Sequence, residues 1–178
     1  MNEQIIRQTR NWIEKVVVAN NFCPFAAREL VRESIRYVVC EGQTPVEYLE
    51  FLMKECQELT ENEKIETTLI IFPNDFEDFN HFWSFVDMAE QFLVDWGYEG
   101  IYQLANFHPK YRFARAAKDD PANYTNRSPY PMLHILREAS LERAIANHPD
   151  AENIPTRNIA HARKEGLRRM QQALKDCL

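Results

Sequence analysis

The chain has 178 residues, 45% of them hydrophobic, and its formal net charge at pH 7 is −6. This length supports one core, so we predict a single domain over residues 1–178, and the composition excludes a disordered chain. The N-terminal segment carries no export signal and no stretch approaches the roughly 18 apolar residues of a membrane span, so we expect a cytoplasmic protein with no membrane partner.

Spacing and capping signals divide the first third of the chain into three helices and one strand. Apolar residues recur at helical spacing over residues 3–20, and Pro24 favours the first turn of a short helix. Residues 34–40 are rich in β-branched and aromatic side chains, which is typical of a strand. The sequence Thr44-Pro45-Val46-Glu47 is a capping box and predicts a helix that runs to about Thr60.

The middle of the chain continues this alternation of strands and helices. Residues 67–72 are nearly all apolar, as in a central parallel strand, and Asn74 is predicted to cap a helix to about Trp96. Residues 101–105 form a third predicted strand, and the last 23 residues, from Thr156, form a polar helix. A β-α-β-α-β order implies parallel strands with right-handed crossovers. The expected fold class is therefore α/β, with a small, mostly parallel sheet of three or four strands, flanking helices and extra helices at both termini.

A long segment without clear periodicity covers residues 106–130 and contains five aromatic residues. Loops of this length are uncommon in compact domains, and the aromatic residues favour an ordered loop packed on the body of the protein. Ser128 is predicted to cap a helix behind this loop, with His134, Arg137 and Glu138 on its polar face.

Charge is distributed unevenly along the chain. Residues 44–98 carry 13 acidic and 2 basic side chains, whereas residues 106–138 carry 6 basic and 3 acidic ones. The negative total argues against non-specific binding of nucleic acid, but a small anionic ligand would prefer the basic region. The alternative is a solvated acidic face beside an ordinary basic loop.

Cysteine and glycine usage limits the chemistry further. The four cysteines form no C-x-x-C pair and, without an export signal, are expected to be reduced thiols. With four glycines, the chain contains neither G-x-G-x-x-G nor G-x-x-x-x-G-K-[ST], so no nucleotide cofactor is predicted and the cofactor remains unassigned.

His108 is the first candidate for catalysis. Ligands of open parallel sheets bind at the carboxyl ends of strands, and His108 follows the third predicted strand. An imidazole titrates near neutral pH, so we predict a general acid or base there, with Tyr111 donating a hydrogen bond to the substrate. A purely structural histidine is the alternative.

Cys23 is the second candidate for catalysis. It precedes Pro24 at a predicted helix start, where the helix dipole favours the thiolate and permits a role as nucleophile or redox group. The alternative is a small buried residue that begins the helix.

Arg127 and Ser128, at the start of the helix predicted after the loop, form a candidate anion site. The other predicted substrate-binding residues are Asn106, Arg112, Asn126, His134 and Arg137. A metal site is an alternative, because His134 and Glu138 are four residues apart and His108 could complete a set of two histidines and a carboxylate. That spacing also arises by chance, so no metal ligand is assigned.

Four stretches carry a resemblance to a known family. They are residues 21–26 (NFCPFA), 106–109 (NFHP) with Tyr111 and Phe113, 126–131 (NRSPYP) with 133–138, and 154–159. With them the chain resembles, over almost its whole length, a bacterial family catalogued as a domain of unknown function, number fourteen-fifteen. The resemblance implies no activity, but its motifs coincide with the candidate segments above.

Two functions from different classes follow. The first is an enzyme acting on a small anionic metabolite, bearing phosphate or carboxylate, at the carboxyl ends of the strands. The second is a non-catalytic interaction module that uses the basic aromatic loop, residues 106–131, to bind an acidic partner or a nucleic-acid end.

Overall fold

The computed structural model describes every residue from Met1 to Leu178 and consists of helices packed on both faces of a four-stranded sheet. The helices are α1 (Asn2–Trp12), α2 (Ala26–Val31), α3 (Pro45–Glu61), α4 (Phe79–Asp95), α5 (Glu138–Ala146), α6 (Ile154–Glu165) and α7 (Leu167–Lys175). The strands are β1 (Ile35–Val39), β2 (Thr67–Ile71), β3 (Tyr102–Phe107) and β4 (Met132–Arg137). A π-helical segment, Ile13–Val18, extends α1, and short 3-10 helices cover Pro121–Thr125 and Ala151–Asn153. None of the helices combines the length and apolar character needed to cross a membrane.

Local capping chemistry sets the starts of the two long helices. The Thr44 hydroxyl accepts from the Glu47 backbone N–H at 3.3 Å, and the Glu47 carboxylate accepts from the Thr44 N–H at 3.0 Å, so the predicted capping box is confirmed. The start predicted for α4 is wrong: Asp78 rather than Asn74 caps it, with the Asp78 carboxylate accepting from two backbone N–H groups at 3.0 Å.

The sheet has the strand order β1-β2-β4-β3 and is not mostly parallel, which corrects the expected fold class. Only β1 and β2 form a parallel pair, whereas β4 pairs antiparallel with both β2 and β3. Strands β1, β2 and β3 still run in the same direction, as the alternating pattern predicts. The β4 strand enters between β2 and β3 from the opposite direction, because a loop rather than a helix connects β3 to β4.

The helix predicted over residues 132–138 is wrong, because this segment is strand β4. Its side chains alternate between the two covered faces of the sheet, so Leu133 and Ile135 are fully buried on one face and Met132 on the other. A strand buried on both faces is apolar at successive positions and does not show period-two alternation. Ser128 therefore caps no helix.

Two hydrophobic cores cover the two faces of the sheet. The first core contains Leu52 and Leu59 from α3, Phe82 and Phe85 from α4, and Ile70 from β2. The second core lies against α1, its π-helical extension and the C-terminal helices. Its buried members include Trp12, Val16, Leu69, Ile71, Tyr124, Ala162 and Met170.

The C-terminal helix predicted from Thr156 is divided in two. Gly166 adopts φ 83°, a left-handed value that ends α6 and changes the direction of the chain before α7 begins. Met170 of α7 is 1% exposed as a result.

Candidate functional site

A cavity of about 780 Å³ lies over the second-core face of the sheet. Its walls are contributed by α1 with its π-helical extension, by the segment from Cys23 through α2, and by α5 with the following turn. Its floor consists of the sheet residues Ile35, Thr67, Leu69, Ala105, Phe107, His134 and Leu136. The volume is in the range of sites that bind small metabolites.

The cavity lies away from the carboxyl ends of β1 and β2, where the sequence predicted a site, and reaches a carboxyl end only at Phe107, the last residue of β3. Ile35 and Thr67 are the first residues of β1 and β2, and Leu136 lies at the end of the antiparallel strand β4. The cavity therefore extends from the start of β1 and β2 across the sheet to the carboxyl end of β3. It is formed there because α2 and α5 stand over the sheet beside α1.

His134 lies on the cavity floor with one ring nitrogen fixed by the protein. The Thr67 hydroxyl donates to the Ile135 carbonyl at 2.5 Å, so its oxygen accepts from the His134 Nε2–H at 2.6 Å. The Nδ1 atom of His134 is consequently unprotonated and forms no hydrogen bond within the protein. Burial lowers the pKa of His134 to about 4, which keeps the ring neutral near pH 7.

Cys23 lines the same cavity and is the only one of the four cysteines that is not buried. Burial of the sulfur raises the thiol pKa, and the backbone N–H groups of Phe25 and Ala26 partly oppose that rise. In the free protein Cys23 is therefore a protonated thiol near neutral pH, which corrects the expectation of a lowered pKa at a helix start.

Arginine side chains give the cavity a positive charge within an acidic protein. Four arginines and two glutamates line it, a formal excess of two positive charges, whereas the whole chain carries −6. Arg28 and Arg32 stand at the solvent-exposed rim and lie 3.5 Å and 3.7 Å from the Glu29 carboxylate. An anion approaching the cavity meets this local positive potential.

Arg143, on α5, is the cavity arginine without an acidic or carbonyl partner. Its Nη2 donates to the Ser140 hydroxyl oxygen at 2.9 Å, which leaves the Ser140 hydroxyl proton free to donate. The Nδ1 of His148 accepts from the Asp150 backbone N–H at 3.3 Å, so the Nε2–H of His148 is also a donor. The α5 side of the cavity therefore presents donors from three side chains.

Arg137 also lines the cavity, but its guanidinium is committed to the protein. It donates to the Leu59 carbonyl, to the Asn62 carbonyl at 3.3 Å and to the Ile65 carbonyl at 3.0 Å. These bonds satisfy carbonyl groups in the last turn of α3, at its C-cap and in the segment that follows, where helix ends lack internal partners. The structure thus gives Arg137 a capping role.

His108 is 1% exposed and lies outside the cavity. Its Nε2–H donates to the Phe76 carbonyl at 2.7 Å, and its Nδ1 accepts from the Lys110 N–H at 2.9 Å. The ring also packs against Phe79 and Phe82 at centroid distances of 5.2 Å and 5.3 Å. With both nitrogens engaged and the pKa lowered by burial, His108 anchors the loop after β3 and has no free nitrogen for proton transfer.

Arg127 and Ser128 hold the long loop in place. The Arg127 guanidinium donates to the Tyr111 carbonyl at 3.1 Å and to the Lys118 carbonyl at 2.7 Å, and it stacks over the Tyr124 ring. The Ser128 hydroxyl donates to the Tyr130 carbonyl at 2.6 Å. Neither residue lies at a helix N-terminus, so the physical basis of the predicted anion site is absent.

The remaining predicted residues also lie outside the cavity. The Arg112 guanidinium donates to the Ala116 carbonyl at 2.8 Å, and the Asn126 amide oxygen accepts from the Thr125 hydroxyl at 3.0 Å. Tyr111 is 8% exposed, and the buried Oδ1 of Asn106 has no partner. Of the ten predicted site residues, only Cys23, His134 and Arg137 line the cavity.

The structure does not bring the residues of the metal alternative into one site. His108 lies outside the cavity that contains His134, and no group of three or more His, Cys, Asp or Glu side chains is placed to hold a metal ion.

Sequence reasoning missed Arg143, Ser140 and Thr67. The first two lie on a helix with a solvated outer side, where a functional arginine has no distinguishing local pattern. Thr67 falls within an apolar strand, and its hydroxyl becomes informative only when β4 places His134 beside it.

No curated protein and no solved structure matches this chain. A family model does match it over residues 4–172, nearly the whole length of the chain. The chain belongs to the family described as "Protein of unknown function (DUF1415)".

Proposed function

We propose that the protein is an enzyme that binds a small metabolite, with an anionic group on an apolar body, in the sheet cavity beside the Cys23 thiol. The observation that carries this proposal is the cavity itself, of about 780 Å³, with an apolar floor and a positive rim. An apolar cavity with a few converging polar groups is the usual form of a small-molecule site.

The polar groups of the cavity support an anionic ligand. Arg143 has no acidic partner, and the Ser140 hydroxyl can add a second donor to the same anion. Either a carboxylate or a phosphate would satisfy these donors, because both accept several charge-assisted hydrogen bonds.

Cys23 supports a reaction rather than binding alone. It is the only thiol that a ligand in the cavity could reach, since Cys40, Cys56 and Cys177 are buried in the two cores. Because burial raises the pKa of this thiol, it is protonated in the free protein, and a role as nucleophile requires that the bound substrate or a group that it brings accept the thiol proton.

The interaction module, in contrast, has little surface available to it. Tyr111 and Tyr124 are 8% and 6% exposed, and the Tyr130 hydroxyl donates to the Gln8 side chain. A module that stacks an acidic partner or a base on these rings would need them exposed.

A thermal-shift screen with phosphorylated and carboxylated metabolites tests the binding step. A ligand at about 100 times its dissociation constant adds roughly 2.7 kcal/mol of stability, which raises the melting temperature by several degrees. Hits should be lost in Arg143→Gln and kept in Arg127→Gln, because Arg127 lies outside the cavity. Loss of hits in Arg127→Gln alone would contradict the cavity assignment.

Protection of Cys23 from alkylation tests whether the ligand lies beside the thiol. A ligand that raises the melting temperature should also slow the modification of Cys23 by iodoacetamide. A stabilising ligand that leaves this rate unchanged would contradict the role of Cys23.

A further inference from the structure

The α5 side of the cavity and its floor offer opposite kinds of hydrogen-bonding group: donors on the α5 side and an acceptor on the floor. On the α5 side, Arg143 and Ser140 of the helix and His148 of the turn that follows it present donors. On the floor, the unpartnered Nδ1 of His134 presents an acceptor. A ligand that fills the cavity contacts both the α5 side and the floor.

The acceptor at His134 is fixed by its surroundings. The Thr67 oxygen already donates its proton to the Ile135 carbonyl, so it can only accept from the His134 Nε2–H. The imidazole cannot exchange tautomers without losing this bond. A ligand atom facing Nδ1 must therefore carry a proton, and an anionic oxygen there would be repelled.

The space between the donors of the α5 side and His134 on the floor is apolar. Leu69, Phe107 and Leu136 line the floor around His134, and Leu141 and Ala144 line the α5 side. No polar side chain of the floor other than His134 and Thr67 competes for the ligand, and the Thr67 hydroxyl is already engaged.

We infer that the site selects a ligand with two polar ends: a carboxylate or phosphate held by Arg143, and a hydroxyl or amide N–H that donates to Nδ1 of His134, separated by an apolar body. This inference rests on the proposed function and names its substrate class as hydroxylated or amide-bearing amphipathic anions. His134 is the residue that distinguishes them from simple amphipathic anions.

Matched probes test the inference without knowledge of the natural ligand. Decanoate and 10-hydroxydecanoate, and octanoate and 8-hydroxyoctanoate, differ only in the terminal hydroxyl. Isothermal titration calorimetry with the full chain should show the hydroxylated member of at least one pair binding about five-fold tighter, as expected for one net hydrogen bond.

The His134→Phe variant keeps a ring of similar size and removes the acceptor. It should reverse the ranking, because a hydroxyl without a partner in an apolar site weakens binding. Arg143→Gln should weaken both members of a pair about equally, by ten-fold or more. Arg168→Gln, at an exposed position of α7 outside the cavity, is the matched control and should change neither affinity.

If His134→Phe does not fold, Thr67→Val replaces it. Loss of the Thr67 hydroxyl frees the imidazole to exchange tautomers, so the preference for the hydroxylated probe should fall towards equality.

The outcomes separate the two proposals. Equal binding of both members of each pair by the unmodified protein, or an unchanged ranking in His134→Phe, would overturn the two-ended ligand while leaving an anion-binding cavity. Failure of all four probes to bind, together with a thermal-shift screen that gives no hit lost in Arg143→Gln, would overturn the proposed function and this inference with it.

Discussion

Replacing His134 by glutamine should make the protein less sensitive to acid. Burial lowers the pKa of His134 from its ordinary value of 6.5 to about 4 in the folded protein. The unfolded chain takes up a proton on this ring below pH 6.5, whereas the folded chain does so only near pH 4. The neutral ring therefore contributes stability above pH 6.5, and that contribution is lost as the pH falls towards 4. Glutamine does not titrate, so the variant lacks this loss.

The size of the effect follows from the two pKa values. The full difference corresponds to about 3 kcal/mol, at about 1.4 kcal/mol for each pKa unit. Between pH 7 and pH 5, linkage gives about 2 kcal/mol, because the unfolded ring is mostly protonated at pH 5 and the folded ring is mostly neutral.

Urea unfolding at pH 7 and pH 5, followed by tryptophan fluorescence and circular dichroism, measures this difference. Other acid-sensitive groups are common to both proteins and cancel in the comparison. One of them is Asp120, whose pKa the Arg163 guanidinium lowers. The variant should lose about 2 kcal/mol less than the unmodified protein between the two pH values, by the same linkage.

Equal losses in the two proteins would refute the reasoning. That result would mean that His134 titrates in the folded state near its ordinary pKa. The ring would then be charged in weak acid, and Nδ1 would be an acceptor only at pH values above the ordinary pKa of 6.5. A lower stability of the variant at both pH values would not refute it, because the prediction concerns the change with pH.

Three further predictions test the roles assigned to other residues. His108→Ala should lower the free energy of unfolding by about 3 kcal/mol, because it leaves the Phe76 carbonyl and the Lys110 N–H without partners inside a packed aromatic cluster. Ligand-induced thermal shifts should persist in this variant. Loss of ligand binding in a folded variant would contradict the anchoring role. Brief alkylation of the native protein followed by mass spectrometry should label Cys23 alone. The rate should still rise above pH 9, because burial raises the thiol pKa. A rate already at its plateau at neutral pH would contradict a raised thiol pKa. Thr44→Ala should cost about 1 kcal/mol in urea unfolding through loss of the capping box, and a cost near zero would show that the box does not hold α3.

Much of the fold was predictable because its signals are local. The capping box at Thr44 and the helical spacing before Asn20 depend on neighbouring residues only, and the structure confirms both. The apolar run of β2 is buried at all five positions, as a central strand requires. Strand β4 could not be recognised in this way, because its identity depends on pairing with β2 and β3, which are distant in sequence.

The difference between local signals and long-range contacts also explains why most of the predicted site residues lie outside the cavity. Residues 126–131 were interpreted as an anion site because they were predicted to start a helix with Arg127 beside it, yet the Arg127 and Ser128 side chains bind carbonyl groups of the long loop. Trp12 illustrates this: its indole N–H donates to the Arg127 carbonyl at 2.9 Å across 115 positions of the chain. A loop of this length without regular structure needs many specific bonds to be ordered, and those bonds produce a distinctive sequence without chemistry.

Cys23 and His134 were predicted as site residues, but the structural reasons given for them were wrong. The thiol was predicted to be acidic and the imidazole to lie on a helix beside a carboxylate, whereas the structure gives a raised thiol pKa and an imidazole on a strand. Both side chains nevertheless line one cavity although 111 positions separate them. The parallel crossover that places β2 beside β1 and the insertion of β4 beside β2 create this proximity, so no local pattern could reveal it.

The unequal packing of the two faces of the sheet is the strongest physical reason to expect a ligand. Against α3 and α4 the first core is filled by aromatic rings in contact, such as Phe72, Phe76 and Phe85. On the other face the small side chains of Ala105 and Ala144 stand where larger ones would fill the cavity. Protein interiors pack densely because each lost contact reduces dispersion energy, so an unfilled apolar volume beside a well-filled core lowers stability. The proposed ligand would restore those contacts with its apolar body, and its anionic end would pair with Arg143, which the protein leaves without an acidic partner.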